Sequence, residues 1–177
     1  MTEVIAETVG GGFDWLHDAD WYKARGSAVH MAAKFIGAGK DFEYDPQIAG
    51  HVEVLRKWFA DICPIIHDQE STLFHPLYRF AGRPDFIGVI RGINVVGDFK
   101  GSMDAERLKL QLGGYSLLLD STGKYTHGVG IEIKPEGYRM TDILDLRKSR
   151  NEFLALLTTY NIRQRLGLIK KERKYAD

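Results

Sequence analysis

Gly82-Arg83-Pro84-Asp85-Phe86-Ile87-Gly88 and, past one short turn, Val95-Val96-Gly97-Asp98-Phe99-Lys100 decide the fold. They lie in two apolar runs, Asp85–Ile90 and Ile93–Phe99, on either side of Arg91-Gly92, which is the pattern of a β-hairpin. A loop at Arg91-Gly92 sets Phe86 opposite Gly97 and Asp85 opposite Asp98. Side chains alternate along a strand, so Asp98 and Lys100 share one face and Phe99 takes the other. Asp85 and Asp98 then carry Cβ atoms about 4.5–5.5 Å apart. Two carboxylates that close repel, and each resists ionising without a compensating cation. A hard divalent ion supplies one, and Mg²⁺ takes one or two carboxylates with waters and substrate phosphates. A single aspartate at a strand end is ordinarily just solvated. Two of them, with a lysine two residues on and apolar neighbours on both strands, favour a metal site.

Outward from the hairpin, the chain alternates between helical and strand texture. Helical spacing begins at Asp20, with Trp21, Ala24, Ala28, Met31, Ala32 and Phe35, and stops near Gly37-Ala38-Gly39. A second helix follows Pro46, burying Ile48, Val52, Leu55, Phe59 and Ile62, and ends before Pro64. Ser71–Phe80 reads as a strand interrupted around Pro76. Asp104–Leu119 is helical and is broken by Ser121-Thr122-Gly123. Thr126–Ile133 alternates as a strand, Tyr138–Thr141 is its partner, and Asp145 to Leu166 forms a last helix. The order α-α-β-β-β-α-β-β-α predicts an α/β (α+β) fold, a small mixed central sheet flanked by helices. Residues 1–19, with Gly10-Gly11-Gly12, are expected to be a flexible arm. Residues 20–168 form a single domain, and 169–177, with Lys170-Lys171-Glu172-Arg173-Lys174, a basic frayed tail.

Composition narrows the classes of function. The 177 residues suit one domain, and 44% hydrophobic with 27% charged residues is ordinary for a packed globular chain. No run of about 18 apolar residues suggests a membrane span. The N-terminal stretch lacks the basic and apolar regions of a secretion signal, so an intracellular, cytoplasmic protein is expected. Cys63 is the one cysteine, which excludes a disulfide framework and a four-thiolate cluster within one chain. The net charge of zero gives no global attraction to nucleic acid. Any case for DNA rests on the site.

Pro84-Asp85 followed by Asp98-Phe99-Lys100 resembles the PD-(D/E)xK nuclease signature, and the surroundings sharpen the likeness. Arg25-Gly26-Ser27-Ala28-Val29-His30 is similar to the G-x-x-x-H helix motif that precedes the core of RecB-like nucleases. Glu70 to Asp85, with Ala81-Gly82-Arg83, resembles their E…aGr-D segment, and Gln111-Leu112-Gly113-Gly114-Tyr115 resembles their Q-x-x-x-Y motif. The likeness runs from Arg25 to Leu119 and is nearest to compact RecB-like exonucleases such as the mitochondrial genome maintenance exonucleases and related phage proteins. Two departures stand out: the iron–sulfur cysteines of some members are absent, and so is a helicase motor.

The resemblance implies a restriction-endonuclease-like core and a metal-dependent DNA exonuclease acting in recombination, repair or replication. It makes Asp85, Asp98 and Lys100 catalytic, and His30, Asp85, Asp98 and the Phe99 carbonyl ligands to one or two Mg²⁺ or Mn²⁺ ions, with no iron–sulfur cluster. Imidazole suits Mn²⁺ better than Mg²⁺. Glu70 has a supporting role, Gln111 orients the site, and Tyr115 touches the DNA strand or a phosphate. Gln111 and Tyr115 are spaced i, i+4 and share a helix face. DNA is the expected partner, with a recombination or single-strand-binding protein as a possible second one. His17, His51, His67, His75 and His127 match no motif and read as ordinary residues. A structure-selective or site-specific endonuclease, a catalytically silent DNA-end-binding module, and an α/β protein with a chance motif are the alternatives.

Overall fold

The computed structural model describes residues 1–9, 19–119 and 123–169. Five helices, α1 (Thr2–Val9), α2 (Ala19–Gly37), α3 (Ala49–Ile62), α4 (Ala105–Leu118) and α5 (Arg147–Arg165), surround a mixed sheet. The strands are β1 (Ile65–Gln69), β2 (Leu73–His75), β3 (Phe80–Gly82), β4 (Phe86–Ile90), β5 (Ile93–Lys100), β6 (His127–Lys134), β7 (Gly137–Met140) and β8 (Leu144–Asp145). The central sheet runs β1-β4-β5-β6-β7, with β8 also on β6, while β2 and β3 form a separate hairpin. The α+β expectation holds.

The β4–β5 hairpin turns at Arg91-Gly92, both with positive φ, +50° and +78°. Such a turn matches the right-handed twist of the flanking strands. Its register pairs Phe86 with Gly97 and Ile90 with Ile93, as the sequence predicts. Gly97 is required there, because a Cβ would lie 2.0 Å from the Phe86 ring. β5 and β6 are parallel, with Lys100 opposite Glu132, and α4 makes the crossover between them.

Alternation along β5 divides the core. Val95 and Phe99 pack toward α2 and α3 among Val52, Leu55, Trp58 and Phe86, while Val96 packs with Leu108, Leu112 and Tyr115 of α4. Trp58 is wholly buried, with the Phe99 ring 5.2 Å away edge-on. Its truncation to alanine would cost about 3–5 kcal/mol. The sheet is thus covered on both faces, and Asp98, two residues from Val96, belongs to the α4 face.

Three differences from the sequence reading have physical causes. Within the stretch expected to be a flexible arm, residues 2–9 are helical: Val4 and Ile5 are buried in a cluster with Phe153 and Leu157 of α5, and the Tyr160 hydroxyl donates to Glu3 at 2.7 Å. Two apolar residues on two turns give too weak a period to read. β1 escaped notice because an edge strand of sequence IIHDQ, bulged between Ile66 and Asp68, does not alternate. The interrupted strand at Pro76 is the β2–β3 hairpin. Residues 10–18, including His17, and the basic segment from Lys170 lie outside the described residues.

Candidate metal centre

β4 begins at Phe86, immediately after Pro84-Asp85, and the Asp85 carboxylate continues the β4–β5 joint beyond the last backbone pair. Its Oδ2 accepts the Phe99 amide N–H at 2.5 Å. Its Oδ1 lies 3.0 Å from His30 Nδ1 on α2. Glu70 closes the group from the end of β1, with Oε1 3.8 Å from the same imidazole nitrogen. Its backbone is left-handed, φ +58°, and its N–H donates to the Asp85 carbonyl at 3.3 Å. One donor atom each from His30, Glu70 and Asp85 lies within 4.8 Å of the others. Two carboxylates and an imidazole are a suitable donor set for Mn²⁺ or Mg²⁺.

Asp98, Lys100, Gln111 and Tyr115 form a second chain of contacts beside the first. Lys100 Nζ is 2.7 Å from Asp98 Oδ2. That oxygen is buried and accepts no well-aligned hydrogen bond, so the contact is an ion pair only. The Gln111 amide donates both ways, to Asp98 Oδ1 at 3.0 Å and to the Tyr115 hydroxyl at 2.9 Å. The two chains meet at the peptide between Asp98 and Phe99, whose N–H is the one held by Asp85.

Three acids, Glu70, Asp85 and Asp98, meet three basic groups, His30, Arg83 and Lys100. Asp98 is 1% exposed, and burial, followed by the charge of Asp85, pushes its pKa up to about 6. Burial pulls His30 down, but hydrogen bonds to Asp85 and then Glu70 outweigh it and push its pKa up to about 10. The imidazolium acts as a resident cation among three acids. Glu70 is held below the usual carboxylate range by the His30 hydrogen bond, against burial and with help from Arg83, whose Nε lies 2.9 Å away. Burial, with the charges of Asp98 and Asp85, holds the Tyr115 phenol far above its ordinary range, so it is a neutral hydrogen-bonding group. Nitrogen and oxygen donors converging from His30, Glu70 and Asp85 fit the donor set of a divalent cation.

The structure therefore brings all the expected residues to one end of the sheet, and it redistributes them. Glu70, expected only to support, is one of the three close donors. Asp98 is not among those three, since its oxygens go to Gln111 and Lys100. Phe99 enters through its N–H rather than through any contact of its carbonyl. Tyr115 is 4% exposed, packed among Leu108, Leu112 and Leu119, so its ring offers no face to a strand. It supports Gln111 instead. Glu132 was not legible as part of the site. Only the β5–β6 register sets this buried acid beside Lys100, where its Oε1 accepts the Met103 N–H at 3.1 Å and anchors the loop between β5 and α4.

A cleft of about 570 Å³ between the β2–β3 turn and α5, at Leu77, Arg79 and Asn161, shares no residue with this site. Its lining holds one ionic side chain, Arg79. A scan of protein-family models and a search of curated proteins each gave no match to this chain. No helix among the described residues is long and apolar enough to cross a membrane.

Proposed function

We propose that the chain is a divalent-metal-dependent deoxyribonuclease that hydrolyses phosphodiester bonds from DNA ends. The observation that carries the reading is the convergence of His30, Glu70 and Asp85 beside the Lys100–Asp98 pair. A Mg²⁺ or Mn²⁺ ion held there would lower the pKa of a bound water and polarise a phosphoryl oxygen. His30, Glu70 and Asp85 are the residues placed to hold it, with Asp98 next in reach once its carboxylate is drawn from Lys100.

The protein's own groups supply the rest. Lys100, 29% exposed, is the cation at the open edge of the site, positioned to offset negative charge that accumulates at phosphorus. Gln111 fixes the orientation of Asp98 and is itself fixed by Tyr115. Phe99 N–H keeps one Asp85 oxygen engaged, leaving the other toward His30. The resemblance to RecB-like exonucleases makes His30, Asp85 and Asp98 metal ligands with Glu70 in support; here Glu70 moves into that set ahead of Asp98.

Labelled DNA tests the proposal. Linear strands should be degraded from their ends with Mn²⁺ or Mg²⁺ and remain intact in EDTA, and covalently closed circles should survive. No cleavage of any DNA with either ion would overturn the reading. Circles cut as fast as linear strands would replace it with an endonuclease.

A further inference from the structure

The burial of Tyr115 leaves the site without the aromatic contact that a strand entering it would use, and another pair stands nearby on α2. Trp21 and Tyr22 are 47% and 43% exposed, with ring centroids 5.0 Å apart at an interplanar angle of 81°. The Arg25 guanidinium lies over both rings, 4.6 Å from one and 5.0 Å from the other. Tyr22, Gly26 and His30 follow at i, i+4 and i+8, so they run along one side of the helix. At 1.5 Å rise per residue, Tyr22 and His30 are separated by roughly 12 Å along the axis.

Gly26 is the informative member of that line. Glycine is the poorest helix former after proline, and mid-helix glycines usually answer to packing. Gly113 does so: a Cβ there would lie 2.5 Å from the Ser149 backbone. A Cβ at Gly26 would meet nothing within 4 Å. The chain leaves an open strip one turn before a candidate metal ligand, and none of its own described atoms fills it. The charges on α2 fit a polyanion: the helix carries Lys23, Arg25 and Lys34 and a single acid, Asp20, 4.0 Å from Lys23.

We infer that this side of α2 is a seat for single-stranded DNA: bases stack on Trp21 and Tyr22, and the backbone passes over Gly26 to His30. The inference rests on the nuclease reading for what the strand meets at its end. An aromatic pair suits unpaired bases, because stacking needs an exposed π-face that a duplex conceals. Arg25 holds the rings in place and adds a positive charge next to the first phosphates.

The full chain and a fluorescein-labelled oligothymidylate in EDTA, where the strand stays whole, test this by anisotropy. Combined Trp21→Ala and Tyr22→Ala should raise Kd by about tenfold or more. Gly26→Leu should raise Kd by about fivefold or more through loss of the strip, while raising Tm, because leucine favours the helix and its Cβ would meet nothing within 4 Å. Mn²⁺ affinity should persist in both variants, since neither alters His30, Glu70 or Asp85. Wild-type Kd in both variants overturns the seat, as does a lowered Tm in Gly26→Leu, which would show the glycine serving the fold. A duplex bound as tightly as the single strand overturns the choice of strand. Wild-type chain that binds through α2 and cuts nothing with Mn²⁺ overturns the nuclease reading while the seat stands. Cleaving chain whose variants bind unchanged does the reverse.

Discussion

The Asp85 carboxylate joins two roles in one side chain: Oδ2 takes the Phe99 N–H at 2.5 Å, and Oδ1 lies 3.0 Å from His30 Nδ1. The hairpin's end and the approach of α2 are thereby fixed by the same group. Changes at Asp85 consequently separate into those that keep its shape and those that do not.

Asp85→Asn retains an acceptor for Phe99 but loses the charge. Cleavage should fall by about a hundredfold or more and Mn²⁺ affinity by about a hundredfold or more, at or beyond the most that loss of an outer partner does. Asp85→Ala adds an unpaired buried N–H and should lose a further 1–3 kcal/mol or so of stability. Calorimetric titration and urea unfolding of both variants check this. Equal stability of the two would show that the Phe99 contact holds nothing.

Lys100→Ala affects more than catalysis. A strand-end lysine ordinarily contributes little to a core, but this one is paired with a carboxylate that is 1% exposed. Removing the cation should destabilise the fold by about 3 kcal/mol at neutral pH, and Asp98→Asn in the same chain should recover much of it. Neither variant should cleave DNA at more than about a hundredth of the wild-type rate under single-turnover conditions. Wild-type unfolding of Lys100→Ala would mean that Asp98 does not need its partner.

The metal-free protein should lose stability as pH rises. His30 has a folded pKa of about 10 against about 6.5 in the unfolded chain. Its contribution is therefore full below pH 6.5 or so and is lost as pH climbs through 10. Asp98, raised to about 6, acts in the same direction at lower pH: its contribution is lost as pH rises from about 4 through 6. Above that range His30 sets the slope among the groups of this site, opposed by the Met1 amino group, which burial holds below its ordinary value. Melting from pH 6.5 to 9.5 should show Tm falling, and His30→Gln should flatten the trend. Mn²⁺ must displace the imidazolium proton, so its affinity should rise over the same range. A flat wild-type profile would place His30 outside the carboxylate cluster.

Arg91 sits at φ +50° in the hairpin turn, where a non-glycine side chain is strained and asparagine is better tolerated. Arg91→Asn should stabilise by about 0.5 kcal/mol with cleavage unchanged, since Arg91 lies at the far end of the hairpin from Asp85. Chemical denaturation measures it, and a destabilised variant would mean that Arg91 makes a contact worth more than the strain.

The hairpin, its register and the shared face of Asp98 and Lys100 were determined by the sequence alone, because a two-residue turn and strict alternation are local rules. Helices α2 to α5 were legible for the same reason, their apolar spacing being a property of each segment. What only the tertiary structure decided involves groups far apart in the chain. His30 reaches Asp85 across 55 residues. Glu70 joins them through the pairing of an edge strand with too little periodicity to read. Glu132 comes beside Lys100 through a parallel register set by α4. Tyr115 shows the limit from the other side: its spacing from Gln111 put both on one helix face, but whether that face meets solvent or the sheet is fixed by packing. The sheet took it, and burial turned a candidate contact for DNA into a support for Gln111.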